Sequence, residues 1–158
     1  MIARRTGAVA VGLLLASAAV AQDKKDEIPK KVMDTLKAKF PKAEIQKATK
    51  EMEGDKVVYD IEFTQEKRKF EADIFEDGTI HNWEKEIAAK DVPEAVKAAV
   101  DKKYPKAAWK EIMQITEVKN GKEMLEGYEI VFETADKKEV EVTVAPDGKI
   151  LEDSTDEK

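Results

Sequence analysis

The sequence predicts an α+β fold made of two tandem helix-plus-antiparallel-strand units, with the helices packed on one face of the sheet or sheets. Three observations predict it. Short motifs recur in unbroken order along the chain. Each set opens on an amphipathic helix bounded by prolines. Each then continues into segments where apolar and polar residues alternate with period two.

The recurrence is legible by eye. Ile28-Pro29 returns as Val92-Pro93, and Phe40-Pro41-Lys42-Ala43 returns as Tyr104-Pro105-Lys106-Ala107, both 64 residues later. Tyr59, Ile61 and Phe63 match Tyr128, Ile130 and Phe132 at an offset of 69, and Asp77-Gly78 matches Asp147-Gly148 at 70. The growing offset places about six extra residues in the second unit, around Lys119 to Glu126, where Asn120-Gly121 is a hairpin-turn signal.

Each unit begins with a helix. Pro29 and Pro93 suit the first helical turn, where the missing N–H is not needed. Val32, Leu36 and Phe40, and likewise Val96, Val100 and Tyr104, recur every fourth residue and form one apolar stripe. Pro41 and Pro105 stop the helices, because the residue before proline avoids the α region.

Strands follow. Val57, Tyr59, Ile61 and Phe63 alternate with Val58, Asp60, Glu62 and Thr64; Phe70, Ala72 and Ile74 alternate with Lys69, Glu71 and Asp73. In the second unit Tyr128, Ile130 and Phe132 alternate with Glu129, Val131 and Glu133, and Val140, Val142 and Val144 with Glu139, Glu141 and Thr143. This is the pattern of half-buried antiparallel strands. The segments from Ala43 and Ala107 read as less clearly patterned strands, with Ile45 and Trp109 as equivalent core residues. Asp77-Gly78 and Asp147-Gly148 turn into a final short strand.

The first residues read as an export signal. Arg4 and Arg5 precede an apolar run from Ala8 to Ala18, and Ala19-Val20-Ala21 offers small residues at a cleavage site. The chain therefore divides into a signal peptide (1–21) and two units (22–90 and 91–158), giving a periplasmic or secreted protein that starts at Gln22. Removal of the two arginines takes the net charge from −6 to −8. Such a charge disfavours binding to nucleic acid or to anionic membranes.

Catalytic constellations are not legible. The chain has no cysteine and one histidine, His81, and Ser154 is the one serine after the signal segment. A Ser-His-Asp relay and a histidine- or thiolate-based metal site lack their parts. Asp77-Gly78 does not continue into the alternating acids of an EF-hand loop. No cofactor, no metal and no enzymatic activity are expected.

The stretches Ile28 to Ala43 with Tyr59 to Ile80, and Val92 to Ala107 with Tyr128 to Ile150, resemble the PepSY-like family of bacterial periplasmic proteins. That family is similar in architecture to beta-lactamase inhibitory protein, in which tandem helix-and-strand repeats form one curved sheet with helices on one side. The resemblance implies an inhibitory or chaperone-like module whose open sheet face docks a protein. The inhibitor's cysteine pairs have no counterpart here.

Alternation places Asp60, Glu62, Glu71, Asp73, Glu129, Glu133, Glu139 and Glu141 on that open face, together with Val58, Phe75, Val131, His81 and Trp83. Acids interleaved with a few apolar and aromatic groups suit a basic envelope protein. Trp83 is the sharpest candidate, because Asp153 takes its place in the second unit. Two alternatives stand beside this reading: a solvated face without function, and a small-ligand or divalent-cation sensor.

Overall fold

The computed structural model describes residues 28–155; the segment read as a signal peptide lies outside them. Helix α1 (Lys30–Lys39) is followed by strands β1 (Glu44–Glu53), β2 (Lys56–Gln65), β3 (Arg68–Phe75) and β4 (Ile80–Glu86). A 3-10 turn at Ala89–Asp91 leads to α2 (Glu94–Lys103), then β5 (Ala108–Lys119), β6 (Lys122–Glu133), β7 (Glu139–Val144) and β8 (Ile150–Asp153). All eight strands form one antiparallel sheet in chain order. The join is between β4 and β5, which pair from Asn82↔Glu117 to Glu86↔Met113.

Pro29 and Pro93 sit one residue before the helices, at the N-cap, with ψ of 145° and 147°. Their carbonyls accept the N–H groups of Met33 and Lys97. The helices end alike: the amides of Phe40 and Tyr104 donate to Leu36 and Val100, each at 2.7 Å. Pro41 and Pro105 then prevent another turn.

Two cores result. Val32, Leu36 and Phe40 of α1 pack with Tyr59, Ile61, Phe63, Ala72 and Ile74. Val96 and Val100 of α2 pack with Ile112, Tyr128, Ile130, Phe132, Val140, Val142 and Val144. Full burial of such side chains is worth about 1.5–3 kcal/mol each. Trp109 and Ile45 pack against their respective cores, as expected. Thr116 lies opposite Trp83, and Ile112 follows it at even spacing along β5. Trp83 packs on the first core and Ile112 belongs to the second, so both helices cover one side of the sheet.

The extra length of the second half lies mostly in the β5–β6 hairpin. Its strands have 12 residues each, against 10 in β1 and β2, and one of the extra residues of β6 is a bulge at Glu126. Asn120 and Gly121 form its two-residue turn with φ of 53° and 72°. The β2–β3 turn uses the same left-handed pair of conformations with Glu66 (φ 53°) and Lys67 (φ 66°), residues that have no ease there. Glu66→Asn with Lys67→Gly is therefore expected to stabilise the fold by about 1 kcal/mol, raising the melting temperature by about 3–4 °C in a calorimetric scan. An unchanged or lower melting temperature would show that this turn carries no strain.

The other side of the sheet has no helix over it among the described residues. Val58, Met113, Ile115 and Val131 nevertheless point there and are buried, Met113 and Ile115 to 3% and 2% exposure. They are buried although no helix among the described residues covers them.

Candidate functional site

The uncovered face is built by parity. Residues paired across neighbouring antiparallel strands point to the same side, with Cβ atoms about 4.5–5.5 Å apart. Glu62 of β2, Glu71 of β3 and Glu84 of β4 are directly opposite one another in one line. Asp60, Asp73 and Asn82 form the next line. Across the β4–β5 join, Glu84 faces Ile115 and Glu86 faces Met113. Met113 in turn faces Glu129, which lies opposite Thr143. Glu141 is opposite Val131.

Lysines at the margin answer some of these acids. Lys47 pairs with Glu62 at 2.7 Å and Lys69 with Glu111 at 2.7 Å. At the far corner Lys110 holds Glu139 at 3.0 Å and Glu133 at 3.5 Å. The Asn82 amide donates to Asp73 at 3.0 Å. The interior of the face is left acidic. Burial raises the Asp60 carboxyl to about 7, with Asp73 and Glu62 adding repulsion. Burial likewise raises Glu71 to about 7, with Asp60, Glu62 and Glu111 opposing its charge. Burial raises Asp73 and Glu129 too; around Glu129 the charges of Glu84 and Glu141 add to the effect. Carboxylic acids this close share protons rather than ionise fully.

Phe75 and His81 form the margin of the face. Their rings lie 5.3 Å apart, His81 Nε2 is 3.3 Å from a Glu53 carboxylate oxygen, and the Lys56 ammonium lies 4.8 Å from the centre of the Phe75 ring. Asp60, Glu62, Glu71, Asp73, Glu129, Glu139 and Glu141 all lie on the predicted side.

Trp83 does not. The structure places it on the helix side, packed against the first core, with its ring 5.8 Å from Phe40 and the Lys39 ammonium 4.9 Å from its centre. The cause is a one-residue bulge. Ile74 pairs with Ile80, but Asp73 pairs with Asn82, so His81 is extra and the parity of β4 inverts beyond it. The same irregularity between Thr143 and Val144 puts Asp153 on the helix side. There the Tyr104 hydroxyl donates to Asp153 at 2.6 Å and Lys103 pairs with it at 2.6 Å. Burial alone would raise this carboxyl, but Lys103, Thr155 and Tyr104 outweigh it and hold it at about 2. Phe40, Lys39 and Trp83 thus occupy the places of Tyr104, Lys103 and Asp153. Where the aromatic carries a hydroxyl the sheet supplies a carboxylate, and where it does not the sheet supplies an indole.

Sequence reasoning missed Glu84, Glu86, Glu111, Met113 and Ile115 as parts of the face. The alternation Glu111, Met113, Ile115, Glu117 is present in the chain, yet nothing local says which side it takes. Among the described residues, no group of three or more His, Asp or Glu side chains is arranged to hold a metal ion. No helix among them is long and apolar enough to cross a membrane.

Comparison with solved structures places this architecture. A periplasmic-type protein from Bacteroides eggerthii superposes with a TM-score of 0.62 at 14% identity, covering 80% of this chain and 87% of that one. A DUF2874 family protein from Bacteroides uniformis gives a TM-score of 0.60 at 14% identity, with 79% and 87% covered. A BLIP-like protein from Bacteroides fragilis gives 0.54 at 18% identity, with 80% and 85% covered. At these identities the likeness concerns the fold alone. No curated protein matches the chain in sequence. The profile of a family described as beta-lactamase-inhibitor-like, PepSY-like matches residues 20–82 and again 58–152. The two matches span most of the sequence, and the chain belongs to the PepSY-like family.

Proposed function

We propose that this protein is an exported, non-enzymatic binding or inhibitory module that docks a protein partner on the open face of its sheet. One observation carries the reading. The uncovered face gathers Asp60, Glu62, Glu71, Asp73, Glu84 and Glu129 around buried apolar groups, at a cost to the fold's own stability. Crowded acids weaken a free protein and gain their counterions from a bound basic surface. The family description as beta-lactamase-inhibitor-like supports a module that acts by contact. Arg4 and Arg5, the short apolar run and Ala19-Val20-Ala21 support export, with Gln22 as the first mature residue. We also read the succession of helix and four strands, met twice, as two copies of one unit, on the motifs shared by its halves.

The test is capture from an envelope extract of the source bacterium, using the chain from Gln22 as bait. A partner should be retained by the wild type and by Lys90→Glu, which lies away from the face, and lost with Glu62→Lys/Glu71→Lys. Equal capture by the face variant would remove the face from the binding reaction. A mature N-terminus other than one near Gln22 in the envelope protein would remove the export reading.

A further inference from the structure

The charge of this protein is divided between its two sides. On the helix side, α1 carries Lys30, Lys31, Lys37 and Lys39 against Asp34 alone, and Lys42 follows it. Lys30, Lys31, Lys37 and Lys42 are exposed. Lys30 is balanced within the helix by Asp34 at 2.5 Å, and Lys42 by Glu66 at 2.8 Å, which leaves Lys31 and Lys37 as the outward cations. In α2, Lys97, Lys102 and Lys103 exceed Glu94 and Asp101. The sheet side has the opposite sign: Glu62, Glu71 and Glu84 in one line, Asp60 and Asp73 in the next, and Glu129 beyond the central join. Its lysines at positions 47, 69 and 110 are already taken by Glu62, Glu111 and Glu139. One molecule therefore presents a cationic helix and, across the sheet, an anionic face that no element among the described residues covers.

The dimensions agree. Seven steps between strands of about 4.8 Å make the face about 34 Å wide, and its strands run from about 13 Å for β8 to about 40 Å for β5 and β6, about 28 Å on average. That exceeds the about 800 Å² per partner of a standard interface. A ten-residue helix is about 15 Å long and 10–12 Å across, so α1 and its flanks fit within it.

We propose that the face takes a second copy of this chain, whose α1 lysines seat on the Glu62–Glu71–Glu84 line. This deepens the docking reading above and rests on it. The contact joins two different surfaces, so it is head-to-tail and leaves one face and one helix free at the ends of each assembly. It is electrostatic in origin, so salt weakens it, and the overall negative charge of the chain keeps it from closing at low concentration.

The experiment is sedimentation velocity with in-line mass measurement on the chain from Gln22 to Lys158, which carries every described element. It is run from about 10 μM to 1 mM protein at about 20 mM and 500 mM sodium chloride. The wild type should rise toward at least about twice the mass of one chain at low salt and high concentration, and return to one chain at high salt. Glu62→Lys/Glu71→Lys and Lys31→Glu/Lys37→Glu should each stay at one chain, since each meets its own like charge. Mixed, the two variants should co-assemble in equal proportion, because the unaltered helix of the first meets the unaltered face of the second and the cationic face of the first meets the anionic helix of the second. Far-ultraviolet circular dichroism shows that each variant is folded. A wild type at the mass of one chain under all conditions, or an assembly that neither variant disrupts, or variants that do not pair when mixed, would each overturn the proposal. The envelope capture would still decide the docking reading, because it does not require the partner to be another copy.

Discussion

The melting temperature of this protein is expected to rise on mild acidification, and Glu71→Gln is expected to raise it at pH 7.5. The sign follows from the proton balance of folding. Asp60 and Glu71 are held at about 7 in the folded chain, above the 3.8 and 4.5 of the free groups. Between those limits the native state binds more protons than the unfolded one, so stability falls as pH rises. For these two groups the loss runs from about pH 4 to about pH 7. Asp153 works the other way: held at about 2, it adds stability above the range of a free carboxyl, and this is lost as pH falls through 2. Maximal stability is therefore expected near pH 4–5.

The magnitude is bounded. Each tenfold change in a carboxyl's proton affinity on folding corresponds to about 1.36 kcal/mol, so Glu71 alone costs at most about 3 kcal/mol at pH 7.5. Relaxation and proton sharing with Asp60 reduce this, and a gain of about 2 kcal/mol, or about 5–8 °C, is expected for Glu71→Gln. The same substitution should flatten the pH dependence between pH 5 and 7.5. Differential scanning calorimetry at pH 5.0 and 7.5 on both proteins checks this. A wild type that is more stable at pH 7.5 than at pH 5.0 would show that the carboxylates of the face are ionised without penalty. The result bears on function. If neutralising Glu71 stabilises the fold, the acids of the face are retained for something other than stability.

Gly148→Ala should be the most damaging glycine-to-alanine change among the described residues. Gly148 has φ +88°, a region L residues rarely adopt, and a Cβ there would lie 2.6 Å from the Ala95 carbonyl oxygen and 3.1 Å from its carbon. Both atoms are backbone of α2, so relief requires the β7–β8 turn to lift from the helix that covers the second core. The conformation costs about 1–2 kcal/mol and the overlap adds about as much again, for a total of about 3 kcal/mol. Two other glycines calibrate it. Gly78 has the same φ, but its Cβ would meet Thr35 Oγ1 at 3.1 Å and the Lys31 carbonyl oxygen at 3.3 Å, which gives way more easily. Gly54, φ +59°, has nothing within 4 Å. Urea unfolding should rank the alanine variants Gly148, Gly78, Gly54 from most to least destabilised, with about 1 kcal/mol for Gly54. Equal losses at Gly148 and Gly54 would mean that the turn does not bear on α2.

Much of the fold was legible residue by residue. Period-two alternation put Tyr59, Ile61, Phe63, Tyr128, Ile130 and Phe132 inward, and all are buried. Asp77-Gly78 and Asp147-Gly148 are turns, with the aspartates accepting the amides of Thr79 and Lys149 at 2.9 and 3.0 Å. Of the candidate face, the acids of β2, β3, β6 and β7 could be placed because each strand is a regular run. Trp83 could not. A bulge adds one residue without changing the composition of the strand, and one residue reverses every side chain beyond it.

What the sequence determined by itself is therefore local: the two helices with their prolines, the alternating strands, the turn chemistry and the acidic character of one side. Each depends on neighbours a few residues apart, where sterics and burial act directly on the chain. Tertiary structure decided the rest. Pairing of β4 with β5 fused the strands into one sheet and brought Glu84, Glu111, Met113 and Ile115 onto the open face. The assembled sheet buried Val58, Met113, Ile115 and Val131, which no helix among the described residues covers, and the β4 bulge withdrew Trp83 into the core. These depend on contacts between residues far apart in the chain, whose register is set by the packed whole and by no short run of residues.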